Sequence, residues 1–288
     1  MINRTVTFAK QHTPNSVRVV ARRMMCDAHN ARLRLTVPVS TRSEYDNIYH
    51  CAMRKTASQW VKAMFSDPAV YRHSGLLPYD PRPYKWRHPE PFPEGRVVSS
   101  LFLSHKKFMA IPKPERHRTF FVLRDPRDMV VSSYFSTRNS HTPMGDVPRV
   151  RKVLQEKSFK EGMLYVISNL TEKGTFKALR SWATAPEADA IRLFRYEDLT
   201  GEHQAEEVNQ LLQHCGIHLP PPELADLLSR YSFAKMRSDR AAASATVSHY
   251  RKGKAGDWQN HFDDDIHEAF TAATGNLVEL LGYPERGK

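Results

Sequence analysis

Two short segments place a basic residue and small hydroxyl residues around the start of a predicted helix. The first covers residues 54–60 and contains Lys55, Thr56 and Ser58. Backbone N–H groups at the start of a helix are unpaired, and the helix dipole places partial positive charge there. With a lysine and two hydroxyls added, the segment is suited to bind a phosphate. It lacks the GxxxxGK[ST] pattern of an ATP-binding P-loop, and a capped helix with a solvated lysine is the alternative interpretation.

The second segment covers residues 124–134 and begins with an arginine at the end of a predicted strand. Pro126 and Asp128 are typical of the first turn of a helix. Arg124 and Ser132 are suited to contact a second phosphate, because a planar guanidinium matches phosphate geometry. A structural ion pair between Arg124 and a neighbouring aspartate is the alternative. Two anion sites would indicate a ligand that carries two phosphate groups.

The elements that must position these segments alternate along the chain. Short apolar segments predict buried strands over residues 46–53, 97–103, 119–123 and 191–195. Helical patterns cover residues 58–65, 126–135, 205–214, 222–231 and 266–281. The alternation predicts a single α/β domain with a central parallel sheet flanked by helices. Ligands of such sheets bind at the carboxyl ends of strands, where both segments lie.

The predicted domain covers residues 45–288, with an N-terminal extension over residues 1–44 packed on it. Three polar or proline-rich stretches, near residues 67–95, 137–150 and 238–256, predict lids over a ligand. The first of them is rich in aromatic residues, which either line an acceptor pocket or pack a long loop. These residues are Tyr71, Tyr79, Tyr84, Trp86 and Phe92.

Composition limits the class of protein. Lysine and arginine total 43 against 31 acidic residues, a net charge of +12 that favours an anionic partner. No zinc-finger spacing, aromatic RNA-binding strand or arginine-rich tail is present, so nucleic acid is not the expected partner. The three cysteines form no CxxC pair, which predicts neither a disulfide framework nor a zinc site.

The N-terminal region bears on the compartment. It lacks the apolar segment of a secretory signal, and no apolar run of about 18 residues occurs, so we expect a cytoplasmic protein. Residues 17–25 are basic and partly apolar, which fits either a membrane-surface helix or a solvated helix packed on the domain. We favour the packed helix and expect no membrane partner.

These segments resemble the motifs of the PAPS-dependent sulfotransferases, most closely the cytosolic type, where PAPS is 3'-phosphoadenosine 5'-phosphosulfate. Residues 54–60 are similar to P-K-[ST]-G-T-[TS]-W and residues 124–134 to R-[ND]-P-[KR]-D-x(3)-S-x-[YW]. Residues 195–199 resemble the Y-E-D segment, residues 232–236 S-F-x-x-M, and residues 250–258 R-K-G-x-x-G-D-W. The resemblance implies a P-loop-like fold, transfer of a sulfuryl group to a hydroxyl or amine of a small-molecule acceptor, and adenosine 3',5'-bisphosphate (PAP) as the product.

The resemblance also implies a set of donor-binding residues and no metal. Lys55 and the backbone amides after it would hold the 5'-phosphosulfate, while the second and last motifs would hold the 3'-phosphate. Trp60, Tyr196, Phe233 and Met236 would lie near the adenine. Ala57 stands where the family has glycine, which predicts that this loop avoids positive φ. The implied residues are Lys55, Thr56, Ala57, Ser58, Gln59, Trp60, Arg124, Ser132, Tyr196, Phe233, Met236, Arg251, Lys252 and Gly253.

His105 is the candidate catalytic base, because it ends the second predicted strand where the family has K-[TS]-H. An imidazole with an ordinary pKa of about 6.5 is suited to accept a hydroxyl proton near neutral pH. Leu103 stands in place of the family lysine, and Lys106 or Lys107 is the predicted substitute. His50, inside the first strand, is predicted to be structural.

Three other functions compete with this interpretation. The departures at Ala57 and Leu103 fit a PAPS- or nucleotide-binding protein without activity. A carbohydrate sulfotransferase is the second alternative, and a nucleotide kinase, disfavoured by the missing Walker pattern, is the third. Residues 257–265 differ from the dimer segment of the cytosolic enzymes, so no oligomeric state is predicted.

Overall fold

The structure, a computed structural model, describes residues 15–81, 87–143, 145–232, 234–236, 238 and 255–285. A sheet of five parallel strands in the order β2-β3-β1-β4-β5 forms its centre, which confirms the predicted fold class. The strands are β1 (Asn47–Ala52), β2 (Leu77–Tyr79), β3 (Arg96–Leu101), β4 (His117–Leu123) and β5 (Ile191–Arg195).

Every residue of β1 is buried, as expected for the middle strand of a parallel sheet covered on both faces. Its polar members are paired within the sheet. Asn47 Oδ1 accepts a hydrogen bond from the Arg96 amide at 2.9 Å, and His50 Nδ1 lies 2.7 Å from Ser99 Oγ. Burial lowers the pKa of His50 to about 3, so its imidazole stays neutral. His50 is therefore structural, as predicted.

Helices cover both faces of the sheet. They are α1 (Asn15–Thr36), α2 (Ser58–Met64), α3 (Pro68–Arg72), α4 (His105–Met109), α5 (Pro126–Phe135), α6 (Val147–Glu156), α7 (Phe159–Glu172), α8 (Thr175–Ala183), α9 (Tyr196–Thr200), α10 (Gln204–His214), α11 (Pro221–Arg230), α12 (Asp264–Thr274) and α13 (Leu277–Leu280). A π-helical turn, Ser136–Ser140, extends α5, and a 3-10 turn, Asp257–Asn260, precedes α12.

Two apolar clusters lie on opposite faces of the sheet because successive strand residues point to opposite faces. Tyr49 and Phe121 pack on one face together with Trp182 and side chains of α5, α7 and α12. Ile48 and Phe120 pack on the other face with side chains of α2, α10 and α11. Each face of the sheet thus has its own core.

Two predictions about elements differ from the structure, and a third is not tested by it. The stretch near residues 67–95 is not only a loop, since it contains α3 and β2, an edge strand of three residues. Pro78 is tolerated there because an edge strand needs fewer backbone hydrogen bonds. A strand of three residues is also too short to show an alternating apolar pattern in the sequence. The helix predicted over residues 266–281 is two helices, because Gly275 adopts φ +57° between them. The third lid, near residues 238–256, lies largely outside the described residues.

The helices α6, α7 and α8 were not predicted. A sequence signal for α7 existed, because Ser158 and Glu161 form a capping box in which each side chain bonds the other's backbone N–H. The lid predicted near residues 137–150 therefore begins in the π-helical turn and ends in α6.

The aromatic residues of the first lid pack into the protein interior. Tyr71 lies in a small cluster with Leu33 and Leu77. Phe92 is buried, and its ring lies 6.2 Å from Tyr49 and 5.7 Å from Tyr79. These contacts favour the packing interpretation over an acceptor pocket. Tyr84 and Trp86 lie outside the described residues.

The order of strands determines where a ligand can bind. The chain leaves β1 towards β2 and β3 on one side and returns to β4 on the other side. Such a reversal opens a crevice at the carboxyl end of the sheet. The turns after β1, β3 and β4 therefore converge, and neighbouring strand ends lie about 5 Å apart.

Candidate active site

The turn after β1 has the backbone shape of a cradle. Lys55 has φ +77° and Ala57 has φ +57°, so both residues adopt the left-handed region. The prediction that Ala57 avoids positive φ is wrong: tertiary contacts impose the conformation at a cost of roughly 1–2 kcal/mol. Thr56 is buried between them, and its hydroxyl donates to the Met53 carbonyl at 2.8 Å. Ser58 is also buried, whereas Gln59 is exposed.

Arg124, at the end of β4, reaches across to this turn. Its Nη1 donates to the Lys55 carbonyl at 3.3 Å, and its Cζ lies 4.4 Å above the ring of Tyr196, the first residue of α9. The nearest carboxylate, Asp128, is 3.7 Å away, too long for a strong pair. Arg124 Nε is buried and has no hydrogen-bond partner among the described residues. The guanidinium is thus held in place while one donor is left for a ligand.

Asp128 holds the last motif against α5. Its carboxylate is 1% exposed and accepts the backbone N–H groups of Gly256 and Trp258, both at 2.8 Å. Burial raises the pKa of Asp128, while Arg124 and the two amides lower it. The sequence predicted Asp128 as a helix-start residue or an ion-pair partner of Arg124, but not this contact, because it joins segments 128 positions apart.

A second buried network fixes the turn that carries Arg124. The Asp125 carboxylate pairs with Arg127 at 2.7 Å, and the Asp125 amide donates to Glu197 Oε1 at 3.0 Å. Tyr283 donates its hydroxyl to Glu197 Oε2 at 2.7 Å. Arg127 lies 3.8 Å above the ring of Trp258. Asp125 therefore forms a structural ion pair, but its partner is Arg127 rather than Arg124.

The predicted adenine-contacting side chains share one cluster. Trp60 and Tyr196 are buried in the apolar cluster of the α2 face, and Met236 packs against it. Trp60 Nε1 donates to the Tyr231 carbonyl at 2.8 Å, which joins α2 to the end of α11. Ser132 lies half-buried on α5. The other predicted donor-binding residues, Phe233, Arg251, Lys252 and Gly253, lie outside the described residues.

His105 begins α4, directly beyond the end of β3. Its amide donates to Ser181 Oγ at 3.0 Å, and its half-buried ring packs edge-on against Trp182 at 5.1 Å between centroids. Trp182 is itself fixed, since its Nε1 donates to the Leu103 carbonyl at 2.8 Å. Burial, and then the charge of Lys113, lowers the pKa of His105. The imidazole is therefore mostly neutral at pH 7, the form that accepts a proton.

Lys113 is a cation that sequence reasoning missed. Its Nζ donates to the carbonyls of Phe108 and Ile111, each at 2.8 Å, at the end of α4. Burial lowers its pKa to about 8. Lys106 and Lys107 are exposed on α4, and their replacement of the family lysine stays a prediction, while Leu103 is buried.

His141 is a second imidazole beside the donor turn. Burial and then the positive charges of Lys55, Arg54 and Arg151 lower its pKa. Its Nδ1 donates to the Thr142 carbonyl at 3.0 Å, and Arg151 donates to the His141 carbonyl. The positive charges of the turn after β1 therefore act on the second lid, a proximity that the sequence alone does not indicate.

Two further features are absent from the part of the chain that the structure describes. No group of three histidine, cysteine, aspartate or glutamate side chains is arranged to hold a metal ion there. Within the same ranges, the helices are too short or too polar to cross a bilayer.

Known proteins resemble this chain in sequence. The sulfotransferase domain family model matches residues 91–282. A guinea pig 3-alpha-hydroxysteroid sulfotransferase is 27% identical over 206 residues, which are 67% of this chain and 67% of that protein. Human sulfotransferase 2A1 is 26% identical over 198 residues, which are 63% of this chain and 66% of that protein. The chain thus spans about two thirds of the length of these relatives.

Solved structures share the fold. Mouse sulfotransferase SULT7A1 complexed with PAP superposes with a TM-score of 0.58 at 18% identity, covering 89% of this chain and 94% of that one. A retinol dehydratase in complex with androsterone and PAP superposes with a TM-score of 0.52 at 14% identity, covering 81% and 80%.

Proposed function

Because this chain belongs to the sulfotransferase domain family, we infer that it transfers a sulfuryl group from PAPS to a hydroxyl group of a small-molecule acceptor and releases PAP. Solved neighbours with the same fold carry PAP, and the sequence relatives are named as sulfotransferases, one of them as a 3-alpha-hydroxysteroid sulfotransferase. The alternatives of a donor-binding protein without activity and of a carbohydrate sulfotransferase are therefore not favoured.

One observation carries the assignment of the donor site. Arg124 donates to the Lys55 carbonyl, so the two cationic turns after β1 and β4 face one crevice. The family-model match begins at residue 91, after the first turn, and this contact is what brings Lys55 into the same site. The unpartnered Arg124 Nε fits a phosphate oxygen as the missing acceptor.

Different residues of the site would bind different parts of the PAPS molecule. The backbone after Lys55 would hold the phosphosulfate, and Arg124 with Ser132 would hold the 3'-phosphate. Trp60, Tyr196 and Met236, which share one cluster, would contact the adenine. Phe233 and residues 251–253 complete this set by resemblance.

His105 performs the proton transfer in this scheme. Its neutral imidazole takes the proton of the acceptor hydroxyl while that oxygen forms a bond to sulfur in line with the bond that breaks. Lys55 faces the negative charge that develops on the leaving phosphate oxygen, where an oriented cation stabilises the transition state most. The hydroxyl acceptor, and a cytoplasmic location consistent with three free cysteines, are parts of this proposal.

Calorimetric titration tests the donor site before any acceptor is known. The purified chain is titrated with PAP, with AMP and with ATP. We expect micromolar binding of PAP and much weaker binding of AMP, because AMP lacks the 3'-phosphate. Equal binding of PAP and AMP would overturn the assigned roles of Arg124 and Ser132.

The role of Lys55 is tested by Lys55→Ala. We expect the kcat of sulfuryl transfer to fall about 10²-fold and the PAP affinity to fall less than tenfold, because the charge acts mainly in the transition state. Arg54→Ala removes a neighbouring exposed cation and serves as the control, with kcat near that of the wild type. Equal losses of kcat and affinity in Lys55→Ala would contradict the role.

A further inference from the structure

The N-terminal helix α1 has two different faces. One packs on the domain: Leu33 is 2% exposed, Asn30 donates to the Pro78 carbonyl at 3.0 Å, and His29 donates to the Ser66 carbonyl at 2.9 Å. These contacts anchor the second half of α1. The helix is therefore held in a fixed orientation relative to the sheet.

The opposite face of α1 is an exposed apolar stripe. Its members recur at the spacing of one helix face and are Val17, Val20, Ala21, Met24, Ala28, Ala31 and Leu35. Exposure reaches 57% at Val20, 66% at Met24 and 85% at Leu35. No described residue covers them. At 1.5 Å per residue the stripe is about 27 Å long, larger than the scattered exposed apolar side chains that are normal on a surface.

Exposed arginines flank this apolar stripe on both sides. Arg32 lies along one edge in the helical projection, and Arg23 and Arg34 lie along the other. The helix contains a single acidic residue, Asp27. Arginine stems extend along apolar surface while their guanidinium groups reach into a polar layer. The arrangement is that of a helix lying in a membrane interface.

We propose that the outward face of α1 binds the surface of an anionic membrane, with the apolar stripe at the acyl boundary and the flanking arginines on lipid phosphates. A second copy of the chain fits less well, because two stacked stripes would bring the same arginines together. The binding is peripheral, since α1 is too polar to span a bilayer. This inference reverses the prediction of no membrane partner, because only the structure shows which face of α1 is covered.

Vesicle sedimentation tests the proposal on the full chain. We expect the protein to sediment with vesicles of phosphatidylcholine and phosphatidylglycerol, weakly with phosphatidylcholine alone, and less as salt is raised. Val20→Glu/Met24→Glu should lower the bound fraction at least tenfold. Arg32→Gln and Arg34→Gln should each weaken binding about fivefold. Gln155→Glu/Gln213→Glu, which adds the same charge at exposed positions away from α1, is the matched control.

Thermal unfolding of each variant and sedimentation velocity without lipid accompany this assay. If a variant has an unchanged unfolding midpoint, its loss of vesicle binding comes from the altered surface and not from unfolding of the protein. Absence of binding to anionic vesicles, equal binding to both vesicle types, or equal losses in the control variant would overturn the proposal. A dimer that Val20→Glu/Met24→Glu dissociates would also overturn it, because a second copy would then cover the stripe.

Discussion

The donor side and the acceptor side of the site are built differently. After β1, β4 and β5, buried charges bond to one another: Arg127 and Asp128 are each 1% exposed and contact Asp125 and the backbone of the last motif. After β3, His105 is half-buried and the cations next to it on α4 are exposed. Buried partners thus hold most charged groups of the donor side, whereas the lysines next to His105 on the acceptor side are exposed to solvent.

This contrast has a physical reason. Binding a phosphate tightly requires donors that are already oriented, and orientation costs least when buried partners hold the groups during folding. A proton acceptor instead needs only a lone pair in reach of the reacting hydroxyl and a suitable pKa. The contrast predicts that changes on the two sides have separable effects on turnover and on PAP binding.

His105→Ala should produce the largest effect. Loss of the general base is expected to lower kcat by about 10²- to 10⁴-fold while PAP affinity stays within twofold. Turnover assays and calorimetry measure the two quantities, and His218→Ala, at an exposed loop position, is the control. A parallel loss of PAP affinity would show that the two sides are not separable.

Asp128→Asn should affect the opposite side. Asparagine keeps the shape but presents an amide N–H₂ to a backbone N–H, so one charged hydrogen bond of about 1.5–3 kcal/mol is lost. We expect PAP affinity to fall at least tenfold and the unfolding temperature to fall by several degrees. Asp226→Asn, exposed on α11, should change neither. Wild-type affinity in Asp128→Asn would mean that this contact does not organise the donor side.

Lys113→Met should change the pH dependence of kcat/KM rather than the maximal rate. Neutral His105 is the active form, and its pKa is lowered, so kcat/KM is expected to fall on the acid side only below pH of about 6.5. Removing the Lys113 charge raises the pKa of His105 and moves this acid limb towards neutral pH, although burial, the larger cause, still lowers that pKa. Lys106→Met, which removes an exposed and screened charge, should leave the limb in place. An unchanged limb in Lys113→Met would contradict the coupling.

Ala57→Gly should give the smallest effect, a gain in stability. Glycine relieves the left-handed strain but adds freedom to the unfolded chain, for a net stabilisation of about 0.5–1 kcal/mol. Denaturant unfolding measures the gain, and Ala63→Gly inside α2 should destabilise by a similar amount. Because the cradle already has its shape, kcat should not change. A destabilised Ala57→Gly would indicate that the methyl group contributes packing that outweighs the strain.

Particular residues show how far sequence reasoning reached. Strand ends followed by Lys55, His105 and Arg124 were recognised because apolar segments and helix-start residues are local patterns. The assignments of fold and family are confirmed by the parallel sheet and the family match, and the donor and reaction are inferred from that family. β2 was not predicted because a strand of three residues is too short to show an alternating apolar pattern. Lys113 was not predicted because its position depends on hydrogen bonds to carbonyls at the end of α4.

By itself the sequence determined the α/β class, the places where the chain turns at the edge of the sheet and the sulfotransferase resemblance, since these depend on neighbours along the chain. Tertiary structure alone decided that Ala57 takes positive φ, that Asp128 holds Gly256 and Trp258, and that one stripe of α1 faces outward. The reason is that backbone strain, buried hydrogen bonds and exposure depend on residues far apart in sequence, which only the folded chain brings together.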